Sequence, residues 1–110
     1  MGKQINLPTD GTQCISAYLA EPNGKPKGGI VVIQEIFGVN EHMRAVTDRF
    51  AELGYTAIAP AFFDHLETGV ELAYDKKGID KGKQLVDELG LERALKDVVS
   101  AAEAISSAGK

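Results

Sequence analysis

Cysteine is almost missing from this chain, and a surplus of positive charge is missing altogether. A single cysteine in 110 residues, Cys14, excludes an internal disulfide and fits a reducing compartment, so the expected location is cytoplasmic. Twelve Lys and Arg stand against 16 Asp and Glu, a net charge of −4, and the lysines are interleaved with acids. No basic stripe can then neutralise a run of phosphates, and nucleic acid is not an expected partner. The longest apolar run, Ile30 to Ile33, is far too short to cross a bilayer, and the opening MGKQINLPTDG lacks the apolar segment of a signal peptide, so no membrane association is expected. What is present is ordinary: 44% hydrophobic and 25% charged residues are the composition of one globular domain with a modest core.

Residues Lys3 to Leu7 and Cys14 to Ala20 read as two strands joined by the turn-rich Pro8-Thr9-Asp10-Gly11, an antiparallel hairpin. Alternation puts Ile15, Ala17 and Leu19 on one face, with Cys14, Ser16 and Tyr18 on the other. The connector EPNGKPKGG cannot sustain helix or strand. From Ile30 to Ile33 every position is apolar, which predicts a parallel strand covered on both faces. Asn40 is a suitable N-cap for a helix whose Met43, Val46, Phe50 and Leu53 recur at helical spacing, with Gly54 as its stop. Tyr55 to Ala59, closed by Pro60, is a second buried strand and completes a βαβ unit.

Residues 61–77 are a long irregular excursion, of the kind usually tied to function or disorder. Helical texture returns at Ile79 to Leu89. A final helix after Gly90 is expected to bury Leu91, Leu95, Val98, Ala102 and Ile105 and to wet Glu92, Lys96 and Glu103, with Gly109 as its glycine cap. Two buried strands are few for this many covering helices, so further parallel strands are missing from the expected sheet.

Open α/β sheets bind ligands at the carboxyl ends of their strands. Two such ends occur here, Gln34-Glu35-Ile36-Phe37-Gly38 and Phe62-Phe63-Asp64-His65. A carboxylate placed at the end of the most hydrophobic run is the feature that most needs a reason. His42 and His65 lack the spacing of a metal site, so neither metal nor cofactor is expected. The segment DKKGIDKGK lacks a phosphate-loop framework and reads as a solvated face. No G-x-G-x-x-G follows a strand, which ranks a dinucleotide site last.

The run QEIFGVNEHMR, followed by FAELGYTAIAP, resembles the amino-terminal half of the dienelactone hydrolase family within the α/β-hydrolases. The similarity reaches through YDKKGIDKGKQLVDELG to the last helix. The resemblance implies a partial α/β-hydrolase fold, with residues 1–110 as the amino-terminal part of one domain: a leading antiparallel hairpin, a βαβ unit and C-terminal helices. It also implies hydrolysis of an enol lactone or activated ester through a cysteine nucleophile with His and Asp partners. By that resemblance Glu35 helps to form the thiolate, Ile36 offers its N–H to the oxyanion, and Phe37, Phe62 and His65 approach the substrate.

A thiol needs a base before it can attack, and an aimed N–H stabilises the charge that then develops. The G-x-C-x-G elbow that carries such a nucleophile is not found in this sequence, and Cys14 reads as a small residue of a sheet. Nucleophile, Asp and His are therefore expected beyond Lys110, and this chain alone should be inactive. An apolar strand left at a sheet edge pairs with other chains, so self-association or a complementing carboxyl-terminal chain is expected. The alternative from another class is a free-standing α/β binding or interaction module.

Overall fold

The computed structural model describes residues 2–8 and 14–107. Strands β1 (Lys3–Pro8) and β2 (Cys14–Ala20) form the expected antiparallel pair, in register from Lys3 opposite Leu19 to Pro8 opposite Cys14. The turn residues Thr9, Asp10 and Gly11, and the glycine stop at Gly109, lie outside the described residues. Strand β3 (Gly29–Val31), helix α1 (Glu41–Glu52) and strand β4 (Thr56–Pro60) then give the βαβ unit. A 3-10 helix, Phe62–His65, leads on to α2 (Lys76–Leu89) and α3 (Leu91–Ala104).

The sheet runs β1-β2-β4-β3, with β4 antiparallel to β2 and parallel to β3. All five residues of β4 are buried, which its sequence TAIAP permits because small Ala side chains let helices close on both faces. On one face Ile58 packs with Leu7, Ile15 and Ala17 beneath Ala101 and Ile105 at the end of α3. On the other, Ala57 and Ala59 pack with Val32 and Met43, and with Val46 and Phe50 of α1. Alternation along β2 was assigned correctly, since Ile15 and Ala17 join the first cluster while Tyr18 packs against the second. Full burial of Ile58 alone is worth about 1.5–3 kcal/mol. A third cluster, Phe62, Phe63, Leu85 and Leu89, holds α2 against the 3-10 helix.

Helix α1 begins where its cap chemistry predicts. The Asn40 side chain accepts a hydrogen bond from Met43 N at 3.1 Å and donates to the Tyr74 hydroxyl at 2.9 Å. Gly54 follows with φ +102, the left-handed region that ends helices cheaply only at glycine. Leu53, expected on the buried stripe, is instead 61% exposed. Thr47 takes an inward position because its hydroxyl donates to the Met43 carbonyl at 2.8 Å.

Three other expectations need correcting. The β3 ladder ends at Val31, although Val32 N still donates to Ile58 O at 2.8 Å, and Ile33, at a sheet edge with no neighbouring strand among the described residues, is 54% exposed. Helix α2 starts at Lys76 because Asp75 caps it, accepting from Gly78 N at 2.8 Å. DKKGIDKGK is thus not wholly a solvated face: Gly78 and Gly82 are buried. In α3 the inward residues are Asp97, Ala101 and the adjoining Ile105, with Val98 half-buried, while Leu91, Leu95 and Ala102 face out. The helix is turned by about one residue, some 100°, from the expected stripe. It can turn because a partner waits for Asp97 and because Ala101 allows close approach.

Candidate functional site

Past Val32 the chain leaves the sheet and folds into a tight turn over Glu35 to Gly38, closed by Gly38 N donating to Glu35 O at 3.2 Å. Gly38 has φ +87, and a Cβ there would run into the Val70 carbonyl, so only glycine can end this turn. The Phe37 carbonyl accepts from Leu72 N at 2.9 Å, and the Phe37 ring meets Tyr74 edge-on with centroids 4.3 Å apart. Gln34 joins the two strand ends, its amide donating to Glu35 O and its Oε1 accepting from Phe62 N, each at 3.2 Å. The turn is thus fixed from several sides. Among the described residues, no hydrogen bond or ion pair engages the Glu35 carboxylate, and none uses the Ile36 N–H.

This turn forms one wall of a cleft of 340 Å³ at the carboxyl ends of β3 and β4. Phe62 and Phe63 line it from the β4 side, and Val86, Leu89, Leu91, Leu95 and Val98 line it from the two helices. Gln34 and Glu35 are its only polar lining residues, so a carboxylate sits at the rim of an otherwise apolar cavity. Such a carboxylate can accept a proton from a group placed opposite it, and an unengaged N–H beside it can receive developing negative charge. Among the described residues, the lining contains no Cys, Ser or His to act as nucleophile.

The 3-10 helix after β4 is pinned at both ends of its polar pair. Buried Asp64 accepts from Ser16 N at 2.8 Å, from Ser16 Oγ at 2.5 Å and from Gly69 N at 3.0 Å. His65 Nε2 meets Asp97 Oδ2 of α3 at 2.8 Å, with side chains only 9% and 2% exposed. Burial pushes the Asp97 carboxyl above its ordinary range, and the hydrogen bond and charge of His65, with Arg93, only partly offset this.

Of the residues expected at the site, Glu35, Ile36 and Phe62 come together on the cleft, and Phe63 joins them. Phe37 and His65, expected near substrate, face other partners, Tyr74 and Asp97 respectively. Cys14 is exposed at the outer end of β2, opposite Pro8 and separated from β3 by β4. His42 lies on the exposed side of α1. The sequence placed Gln34 at the strand end without its tie to Phe62, and gave no role to Gly82 or Asp97. Only Asp97 carried a signal, an acid next to the apolar Val98 and three residues from Ala94. Among the described residues no cluster of three or more His, Cys, Asp or Glu could hold a metal ion, and no helix is long and apolar enough to cross a membrane.

The sequence profile of the dienelactone hydrolase family matches residues 15–109. A candidate carboxymethylenebutenolidase of Synechocystis sp. is 43% identical over 95 residues, covering 86% of this chain and 38% of that protein. One from Azospirillum brasilense is 46% identical over 69 residues, covering 62% of this chain and 30% of its own length. The crystal structure of a candidate dienelactone hydrolase from Klebsiella pneumoniae superposes on all of this chain with a TM-score of 0.82 at 29% identity, using 45% of its own residues. The chain therefore spans less than half the length of the relatives it matches.

Proposed function

This chain belongs to the dienelactone hydrolase family, and on that premise we propose that it forms the amino-terminal part of an enzyme hydrolysing an enol lactone or activated ester. The nucleophile is a cysteine thiol contributed by residues outside this stretch. The observation that carries the reading is the Glu35–Ile36 turn: a free carboxylate and a free N–H, side by side on a rigid turn, at the rim of an apolar cleft. Glu35 takes the proton of the thiol, and the thiolate attacks the ester carbonyl carbon. The carbonyl oxygen becomes an oxyanion that accepts the Ile36 N–H. Its collapse breaks the C–O bond, releases the alcohol or enol oxygen with a proton, and leaves a thioester, which water then cleaves to acid and thiol. Phe62 and Phe63 hold the hydrocarbon part of the substrate, while Phe37 and His65 support the turn and the cleft floor from behind. A lone, exposed cysteine suits work in the cytoplasm.

Iodoacetamide treatment of the complete hydrolase tests this. It should label a cysteine other than Cys14 and abolish hydrolysis of p-nitrophenyl acetate, and the 110-residue chain alone should show no hydrolysis above buffer. Labelling confined to Cys14, with hydrolysis intact, would sink the cysteine mechanism.

The same reading includes association. Among the described residues the edge of β3 has no neighbouring strand, and Ile33, Leu91 and Leu95, which line one cleft, are each more than half exposed. The isolated chain is expected to sediment as a dimer or larger species at tens of micromolar, or to bind a second chain that supplies further strands. A sharp monomer boundary across a concentration series in the ultracentrifuge would rule this out.

A further inference from the structure

We propose that Gly82 is a positioning residue for the Ile36 N–H, acting by letting α2 seat directly on the turn; the inference rests on the hydrolase reading above. Glycine inside a helix costs about 1 kcal/mol relative to alanine, so two of them in the first half of α2 need a reason. Gly78 and Gly82 are four residues apart, share one face, and are both buried. A Cβ on Gly82 would run into the Ile36 carbonyl oxygen and come within 3.0 Å of Ile36 Cβ and 3.1 Å of its carbonyl carbon. Those contacts are with backbone and branch-point atoms, which cannot swing aside. A Cβ on Gly78 would run into the Ala73 carbonyl, so the chain entering α2 is folded against the same face.

Further along the helix, Leu85 and Leu89 press α2 onto Phe62 and Phe63, which fixes the distance from α2 to the cleft floor. The helix is thus held close over the turn, and Ile36 is the residue beneath it. The N–H of that residue has no partner among the described residues. Displacement of an aimed donor by about 1 Å is enough to cost roughly 10²-fold in rate. Seating by Gly82 supplies the fixity that an oxyanion donor on a loop would otherwise lack.

Gly82→Ala in the complete hydrolase tests the inference, with Lys83→Ala, on the exposed face of the same helix, as control. The Gly82→Ala protein should keep its fold at reduced stability, because the clash is confined to one turn, which must shift, and alanine returns only about 1 kcal/mol of helix propensity. Its Ile36 and Phe37 amide resonances should shift, and kcat should fall by about 10- to 100-fold with KM within about twofold. Lys83→Ala should move neither amide. An unmoved Ile36 amide in a folded Gly82→Ala protein overturns the inference. A moved amide with unchanged kcat upholds the seating and overturns the oxyanion role on which the inference rests. Should Gly82→Ala fail to fold, the amide order parameter of Ile36 in the parent enzyme decides: about 0.85 supports seating, and a loop-like value below about 0.6 overturns it.

Discussion

Glu35→Gln in the complete hydrolase is expected to lower kcat/KM by about 10²–10³-fold while leaving the melting temperature almost unchanged. The two halves of that result have separate causes. Glu35 is exposed, and among the described residues its carboxylate holds no hydrogen bond or ion pair. A surface side chain without partners usually contributes within about 0.5 kcal/mol to stability. The turn itself is held by Gly38, Gln34 and the Phe37 carbonyl, none of which depends on the Glu35 side chain. Glutamine fills the same space but cannot take up a proton, so on the proposed mechanism thiolate formation loses its base and the chemical step slows. On the proposed mechanism the contacts of Phe62 and Phe63 with the substrate persist, and KM should stay within about threefold. Pre-steady-state acylation with p-nitrophenyl acetate would read this directly. A Glu35→Gln enzyme that acylates at the parent rate removes the carboxylate from the mechanism.

Asp97→Ala should destabilise the fold by about 1–3 kcal/mol, because it leaves the buried His65 ring nitrogen without its hydrogen-bond partner. For a chain of this size that corresponds to a fall of roughly 4 °C or more in melting temperature. The conservative Asp97→Asn keeps a hydrogen-bonding group against His65 and should cost far less. It also reports on pH. The Asp97 carboxyl is raised by burial above its value in the unfolded chain, so the native state takes up this proton first as pH falls. Stability from this group is then fully present below the unfolded value, about pH 4, and is lost as pH rises through the folded value. Relative to Asp97→Asn, which cannot ionise, the parent should look most stable in acid and lose that advantage on the way to neutrality. Urea melts of both proteins across this range test it, and parallel pH profiles would show that Asp97 does not titrate as described.

Much of this was readable from residue order. Asn40 announced α1 because a side-chain amide at that position can satisfy an orphan N–H of the first turn, and it does. TAIAP announced a strand covered on both faces, and QEIFG marked the strand end where Glu35 and Ile36 meet Phe62. The face of α3 was not readable, because two apolar columns run along it side by side. Leu91, Leu95, Val98 and Ala102 make one, and Ala94, Val98, Ala101 and Ile105 make the other. Hydrophobic spacing alone prefers the bulkier column, yet the sheet selected the smaller one, which lets the helix lie closer and carries Asp97 to His65.

By itself, then, the sequence determined the order of strands and longer helices, the leading hairpin, the βαβ unit, and the carboxylate at the end of β3. These depend on caps, on alternation and on turn chemistry, all of which act over a few residues. The antiparallel join of β2 to β4 came from the tertiary structure. Tertiary structure alone decided that Gln34 ties one strand end to the other, that Gly82 seats α2 on Ile36, and that His65 turns from the cleft to Asp97. Each of those joins residues 28 to 46 positions apart. Partners so distant are chosen by how helices settle on the sheet, which is a property of packed volume rather than of local pattern.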